Sequence, residues 1–203
     1  MKLYDTKVAP NARRVRIFLA EKGLSIPLVP VDLGKLEHKE ASYAAINPVQ
    51  QVPALELDDG TILTESIAIC RYFEELHPDP PLFGTGALGR AMVDMWQRRL
   101  EFGLFATVGQ AFRHLHPAMA AMEAPQISAW GEANKPRATA FLHMLDRHLA
   151  DRDFVCGDRF TVADITGLVA MDFTKLARIA VPDELEHVRR WHAALAARPS
   201  ASA

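Results

Sequence analysis

The sequence has little cysteine, no excess of basic charge and no long apolar run. Cys70 and Cys156 are the only cysteines among 203 residues. They stand far apart, so we expect neither a disulfide framework nor a zinc knuckle. The formal net charge of -2 gives no sign of the positive charge that nucleic-acid binding requires. No apolar segment reaches membrane-spanning length, so we expect a cytoplasmic protein with no membrane partner.

What the sequence does have, in its first third, is an alternation of strand and helix patterns. Residues 2–5 predict a strand, and apolar residues at helical spacing then predict a helix that Gly23 ends. Residues 26–33 predict a second strand, which its two prolines push towards a sheet edge. In such a β-α-β unit the two strands are parallel and the crossover is right-handed.

A hairpin and a second helix complete this first segment. Residues 54–57 and 61–63 predict two strands joined at Asp59-Gly60, a pair typical of tight hairpin turns. A helix pattern begins directly after the second of these strands. We therefore predict one domain over residues 1–76, with its elements in the order β-α-β-β-β-α.

The remainder of the chain is predicted to be helical after a linker. Residues 77–88 are dense in proline and glycine, so we assign them to a linker and residues 89–203 to an all-helical domain. One long amphipathic helix is expected from Gly89 to about His116. Pro136 is expected to start or kink the next helix, because it has no backbone N–H to donate.

Several polar groups are interpreted as structural. Thr161 and Asp164 form the pattern of a capping box, with aspartate in the position usually held by glutamate. The basic run of residues 13–16 is interpreted as a solvated helix face. His114 and His116 are only two ligands, so no metal site is expected.

Four motifs in order, spread over nearly the whole chain, resemble those of cytosolic glutathione transferases. They are Asn47-Pro48 with Gln51-Val52-Pro53-Ala54-Leu55, then Thr64-Glu65-Ser66, then residues 157–164, and finally Ala197-Arg198-Pro199-Ser200. The resemblance implies a thioredoxin-like N-terminal domain with a mixed sheet, followed by an all-helical C-terminal domain. It also implies glutathione as co-substrate without a metal, a small apolar electrophile as second substrate, a role in detoxification, and a homodimer.

The resemblance also implies which groups hold glutathione. In the family, the proline equivalent to Pro53 is cis, and the Val52 N–H and C=O pair with the cysteinyl backbone like an added strand. Ser66, in the first turn of its helix, holds the γ-glutamyl carboxylate, and Glu65 faces the γ-glutamyl ammonium. The alternative role of Ser66 or Thr64 is that of a helix N-cap.

The glycyl carboxylate of glutathione needs a donor or a cation at the other end. By resemblance, His38 and Gln51 fall where related proteins place such groups, and Gln51 is the preferred candidate. Lys35 and Lys39 could replace His38, whose alternative role is that of a solvated loop histidine.

The position that activates the thiol departs from the family pattern. Family members use tyrosine, serine or cysteine in the first strand-to-helix loop, whereas the serine or cysteine position here holds Ala9. Tyr4 lies one residue away from the position that the tyrosine takes in the family, and it is expected on the other face of its strand. Asn11 remains as a donor, with Thr6 behind it, and a bacterial nu-like branch carries Thr-Pro-Asn at this place. The alternative for Asn11 is a simple N-cap.

Three functions follow from this resemblance. The first is a glutathione-dependent transferase that activates the thiol for attack on an apolar electrophile. The second is a non-catalytic binding or regulatory protein, for which Ala9 is the main argument. The third, glutathione-dependent disulfide or peroxide reduction, suits Pro10-Asn11. Met95, Phe102, Phe105 and Phe112 are candidates to line a pocket for an apolar co-substrate, although packing against neighbouring helices is the preferred interpretation for most of them.

Overall fold

The computed structural model describes residues 1–203, and these residues divide into two compact units. The first, here called the sheet unit, comprises Met1–Leu82 and Pro199–Ala203, and the second, the helical unit, comprises Phe83–Arg198. The terminal residues 199–203 cluster with the sheet unit, since Arg13 Nη2 donates to the Ala201 C=O at 2.9 Å.

The sheet unit is built on a mixed four-stranded sheet with the strand order β2-β1-β3-β4. The strands are β1 (Lys2–Asp5), β2 (Leu28–Pro30), β3 (Ala54–Glu56) and β4 (Ile62–Thr64). β1 runs parallel to β2 and antiparallel to β3, which pairs antiparallel with β4. The parallel unit, the hairpin and the edge position of β2 are therefore confirmed. β2 has three residues instead of the predicted eight, because prolines flank and end it.

The helices of the sheet unit are α1 (Pro10–Glu21), α2 (Ala41–Ala44) and α3 (Ser66–Leu76), with 3₁₀ turns at Glu37–Lys39 and Pro199–Ser202. Gly23 has φ +65° and donates to the Ala20 C=O, so it ends α1 as predicted. No pattern in the sequence predicted α2, because four residues are too few to show a helical period.

The interpretation of residues 13–16 as a solvated helix face is wrong. Arg14 is buried, with 4% of its surface exposed. Arg16 Nη1 forms a salt bridge with Asp5 Oδ1 at 2.6 Å, which ties α1 to the end of β1. Directly after α1, the buried Lys22 pairs with Glu74 of α3 at 2.6 Å. The charges of α1 thus hold the sheet unit together.

The helical unit contains α4 (Gly86–Leu100), α5 (Ala106–Leu115), α6 (Ser128–His148), α7 (Val162–Leu176) and α8 (Glu186–Ala196), with a 3₁₀ turn at Pro117–Met119. A π-helical turn, Glu101–Phe105, joins α4 to α5, so the predicted single long helix is interrupted. Gly103 lies within this turn, and a Cβ there would lie 2.4 Å from the Phe141 ring. None of the helices combines the length and apolarity needed to cross a membrane.

Pro136 does not start α6, so this part of the expectation is wrong. It lies inside the helix, which begins eight residues earlier at Ser128. Buried residues occur on both sides of the proline, with Gly131 and Asn134 before it and Leu142 among those after it. Packing of this continuous buried face outweighs the loss of one backbone hydrogen bond.

The capping box at the start of α7 is confirmed and lies at the centre of the helical unit. Asp164 has no exposed surface, and its Oδ2 accepts from the Thr161 N–H at 2.9 Å. Its Oδ1 accepts from the Val155 N–H and from Trp191 Nε1, both at 3.0 Å. Asp164 therefore joins a loop, a helix start and α8.

Candidate active site

The candidate site lies at one end of the sheet, where three strands bring its parts together. Pro53 directly precedes β3, whose first residue, Ala54, pairs with Tyr4 of β1 and with Thr64 of β4. The loop after β1 leads into α1, and Glu65 follows the end of β4. Ala9 and Val52 belong to the same buried cluster. The sheet thus places the Val52-Pro53 turn, the start of α1 and the start of α3 next to each other.

The Val52-Pro53 turn is anchored through the residue before it. The peptide bond between Val52 and Pro53 is cis. The Gln51 C=O accepts from the Tyr43 hydroxyl at 2.7 Å and from Asn47 Nδ2 at 2.8 Å. The backbone N–H and C=O of Val52 take part in no hydrogen bond of the loops and turns. Both groups are therefore available to a ligand.

The start of α3 combines an unusual backbone with unpaired donors. Glu65 has φ +64° and ψ +113°, outside the regions that non-glycine residues favour. Ser66 is the first helical residue and is 3% exposed, and no side chain caps the helix. The N-cap alternative for Ser66 and Thr64 is therefore wrong. The first N–H groups of α3 are free to bind an anion.

The start of α1 holds Asn11 in a defined orientation. The N-cap residue is Ala9 and Asn11 lies inside the first turn, so the interpretation of Asn11 as an N-cap is wrong. Arg14 Nη2 donates to Asn11 Oδ1 at 2.6 Å, which fixes the amide and leaves its Nδ2 as a donor for other groups. The backbone C=O of Thr6 accepts from Arg16 Nη1 at 3.1 Å. Thr6 therefore shapes the loop through its backbone.

His38 and Gln51 differ in their surroundings. His38 is 5% exposed, and its Nδ1 is buried without a hydrogen-bond partner. Burial and, to a lesser extent, the Lys39 charge lower the pKa of His38. The interpretation of His38 as a solvated loop histidine is therefore wrong. Gln51 is exposed. The 3₁₀ turn of His38 packs against α2, which carries Tyr43.

Tyr43 belongs to the site, although no motif in the sequence pointed to it. Its hydroxyl and the Asn47 amide together hold the carbonyl before Val52. Burial raises the pKa of Tyr43 to about 12, so the hydroxyl stays a donor at neutral pH. Asn47-Pro48 had been recognised as part of a motif, but nothing in the sequence marked Tyr43.

Neither cysteine offers a reactive thiol. Cys70 is completely buried in α3, as expected for a core residue, and burial raises the pKa of its thiol to about 12. Burial likewise raises the pKa of the Cys156 thiol to about 12. A thiolate at this site therefore has to come from a bound molecule.

The aromatic residues proposed to line a second-substrate pocket separate into two groups. Phe105 and Phe112 cluster with Phe173 of α7, at ring-centre distances of 6.3 Å and 5.0 Å from that ring. All three are partly exposed, so the helical unit carries an apolar aromatic face. Phe102 is not part of this cluster and lines a cavity beside α6.

Comparison with known proteins agrees with this arrangement. Residues 3–81 match the family model for the glutathione S-transferase N-terminal domain, and residues 110–199 match that for the C-terminal domain. Glutathione S-transferase 2 of Saccharomyces cerevisiae is 37% identical over 98% of this chain and 87% of its own length. The crystal structure of a glutathione S-transferase domain-containing protein from Marinobacter aquaeolei VT8 has a TM-score of 0.95. It is 41% identical, and the match covers 98% of this chain and 99% of that one.

One similar protein has the name of a different enzyme. Maleylacetoacetate isomerase of Pseudomonas aeruginosa is 34% identical over 81% of this chain and 77% of its own length. A thioredoxin-like sheet unit with an all-helical unit, matched by both family models, defines the class of protein. This chain belongs to the cytosolic glutathione S-transferase superfamily.

Proposed function

We propose that the protein is a glutathione-dependent transferase, which activates the glutathione thiol for attack on an apolar electrophile. One observation carries the proposal, namely the unpaired backbone of Val52 beside the uncapped start of α3. These groups match the backbone and the γ-glutamyl carboxylate of glutathione. The names of the relatives support the same reaction class.

Glutathione lies across the end of the sheet in this proposal. Its γ-glutamyl carboxylate binds the Ser66 hydroxyl and the free N–H groups of α3, where the helix dipole favours negative charge. Glu65 is exposed and free of a salt bridge, and it faces the γ-glutamyl ammonium. Val52 pairs with the cysteinyl backbone. The glycyl carboxylate then reaches Gln51, with His38 as the second candidate.

Asn11 is the group that we assign to the thiol. Its Nδ2 donates to the thiolate, while Arg14 holds its oxygen. Pro10 has no N–H, so Asn11 and Ala12 provide the free backbone donors at the start of α1. A free thiol has a pKa near 8.5, and lowering it by one unit takes about 1.4 kcal/mol of preferential stabilisation. One amide donor and the helix terminus are sufficient for this effect.

The aromatic face of Phe105, Phe112 and Phe173 is the surface that we assign to the apolar electrophile. Apolar side chains that stay partly exposed are suited to a hydrophobic substrate. We also propose that the protein is a cytoplasmic homodimer that acts in detoxification, on the basis of the family resemblance.

A second candidate is a glutathione-binding protein without turnover. Ala9 favours it, because the helix N-cap offers no hydroxyl or thiol beside the sulfur. The two candidates share the binding site and differ only in the state of the thiol. Binding alone therefore supports both, and a lowered thiol pKa distinguishes the transferase.

Calorimetry with Ser66→Ala tests the binding site. The variant should bind glutathione with about 1–3 kcal/mol less free energy, because a hydrogen bond to a charged group is lost. Its melting temperature should hardly change, since Ser66 does not cap α3. Ser128→Ala, at the first residue of α6, is the matched control. Wild-type affinity in Ser66→Ala, or no heat at millimolar glutathione in the unaltered protein, contradicts the assignment.

A further inference from the structure

His116 follows the last residue of α5 and extends the aromatic face of the helical unit. Its ring centre lies 4.8 Å from that of Phe112, with the two ring planes at 32°, and Phe112 in turn lies against Phe173. The imidazole is therefore a fourth ring beside those of Phe105, Phe112 and Phe173. It is the only one of the four rings that contains nitrogen, so it alone can form a conventional hydrogen bond with a ligand.

The backbone of His116 is held at the base of the loop that leads to α6. Its N–H donates to the Phe112 C=O at 2.9 Å. Its C=O accepts from the Met119 N–H and from Gln126 Nε2, both at 3.0 Å. The same Gln126 amide donates to the Arg113 C=O at 2.7 Å. These bonds tie the two ends of the loop together, so they fix the direction in which the His116 side chain leaves the backbone.

The imidazole of His116 is oriented by a hydrogen bond of its own. Its Nδ1 accepts from the Ala118 N–H at 3.2 Å and so caps the 3₁₀ turn Pro117–Met119. A neutral imidazole that accepts at Nδ1 carries its proton at Nε2, so Nε2 is a donor. This Nε2 has no partner in the chain and is not buried. His116 therefore presents one free N–H at the edge of an apolar face.

A free donor on an apolar surface favours one kind of electrophile. When a thiolate adds to the carbon–carbon double bond of an α,β-unsaturated carbonyl compound, negative charge moves to the carbonyl oxygen. A hydrogen bond to that oxygen strengthens as the charge develops, and the low polarity of the surrounding phenylalanine rings strengthens it further. Displacement of a halide from carbon places no charge on an oxygen, so that reaction gains little from the donor.

We propose that the aromatic face takes α,β-unsaturated carbonyl compounds with an apolar substituent, and that His116 donates its Nε2–H to their carbonyl oxygen. This inference rests on the proposed transferase function and adds the class of the second substrate. The sulfur–carbon bond forms at the β-carbon while the π electrons of the double bond move towards the oxygen, which gives an enolate that His116 stabilises. A proton from water then goes to the α-carbon, and the product is the saturated thioether.

Two electrophiles with the same phenylvinyl skeleton test the proposal. Benzylideneacetone carries the ketone, and cinnamyl chloride carries a chloromethyl group in its place. The kcat/KM of each is measured at saturating glutathione, after subtraction of the uncatalysed rate. His116→Ser keeps a side-chain oxygen that can cap the 3₁₀ turn, but it has no donor at the position of Nε2. It should lower kcat/KM roughly tenfold for the ketone and less than about twofold for the chloride.

His116→Gln is the complementary variant. Its amide N–H reaches the position of Nε2, whereas no acceptor remains at the position of Nδ1. It should therefore keep more activity towards the ketone than His116→Ser, while its melting temperature falls below that of the wild type because the cap is lost. His143→Ser changes a half-buried histidine of α6 outside the aromatic face, and it should leave both substrates unchanged.

The outcomes separate the role of His116 from the proposed function. Loss of folded protein lowers both rates together, so the ratio of the two kcat/KM values is the quantity that decides. An equal fall for both electrophiles in His116→Ser overturns the role of His116 and leaves the transferase standing. The same conclusion follows if His116→Gln is as impaired towards the ketone as His116→Ser, or if the wild type conjugates the chloride but not the ketone. Conjugation of neither electrophile overturns both proposals.

Discussion

Replacing Asp164 with alanine tests the structural centre of the helical unit. Its carboxylate accepts hydrogen bonds from the Val155 N–H, the Thr161 N–H and hydroxyl, and Trp191 Nε1, all within 3.0 Å. The three residues that donate are each at most 3% exposed. A buried donor that loses its partner costs about 1–3 kcal/mol, so three N–H groups together cost about 6 kcal/mol.

The burial of the carboxylate offsets part of this loss. Burial raises the pKa of Asp164 from 3.8 to about 6, against the opposing effect of its hydrogen bonds to Val155, Trp191 and Thr161. The folded pKa lies above the unfolded one, so stability is greatest below pH 4 and falls as pH rises through 6. Above that range, burying the charge costs about 3 kcal/mol. The variant should therefore lose about 3 kcal/mol of unfolding free energy at pH 7.

The pH dependence provides the sharper measurement. At pH 5 the wild-type carboxyl is mostly protonated when folded, so the cost of burying its charge is smaller than at pH 7. Urea unfolding of wild type and Asp164→Ala should thus show a larger difference in unfolding free energy at pH 5 than at pH 7. A difference that stays constant or grows with pH refutes the raised pKa. Full stability with loss of glutathione affinity refutes the structural role.

Two further substitutions separate packing from binding. Gly167→Ala should lower the unfolding free energy by about 1–3 kcal/mol, measured by urea unfolding, because its Cβ would lie 2.3 Å from the Trp191 ring; an unchanged midpoint contradicts the close packing. Glu65→Gln should weaken glutathione binding severalfold in calorimetry and leave the melting temperature unchanged, since an exposed carboxylate facing the ammonium is lost; unchanged affinity removes Glu65 from the site.

Local patterns predicted the elements that local interactions determine. Gly23 ends α1, Asp59-Gly60 turns the hairpin, and Thr161 with Asp164 caps α7, because each depends on neighbours in the sequence. The close packing of Phe141 on Gly103 could not be predicted, since it joins residues of two different helices. The continuous helix through Pro136 also depends on packing with other helices.

In the candidate site, too, local motifs were predictable and contacts between distant residues were not. The Val52-Pro53 and Glu65-Ser66 pairs were recognised as motifs, but their contacts were not predictable. The Tyr43 hydroxyl donates to the C=O of Gln51, eight residues later, and Tyr43 belongs to no recognised motif. Asn11 was a donor candidate with an N-cap as the alternative, and its orientation was not predictable because it depends on Arg14, one helical turn later, which binds its oxygen. Pairings of this kind become visible only when the side chains are placed.

We propose that the protein activates the glutathione thiol through Asn11. Ultraviolet absorbance of the thiolate, followed as bound glutathione is titrated, measures this directly. The thiol pKa should lie below the value near 8.5 of a free thiol. It should rise in Asn11→Ala and in Asn11→Asp, which keeps the oxygen that Arg14 binds but has no amide donor. A wild-type complex whose thiol titrates like free glutathione would contradict the account and favour the non-catalytic binder.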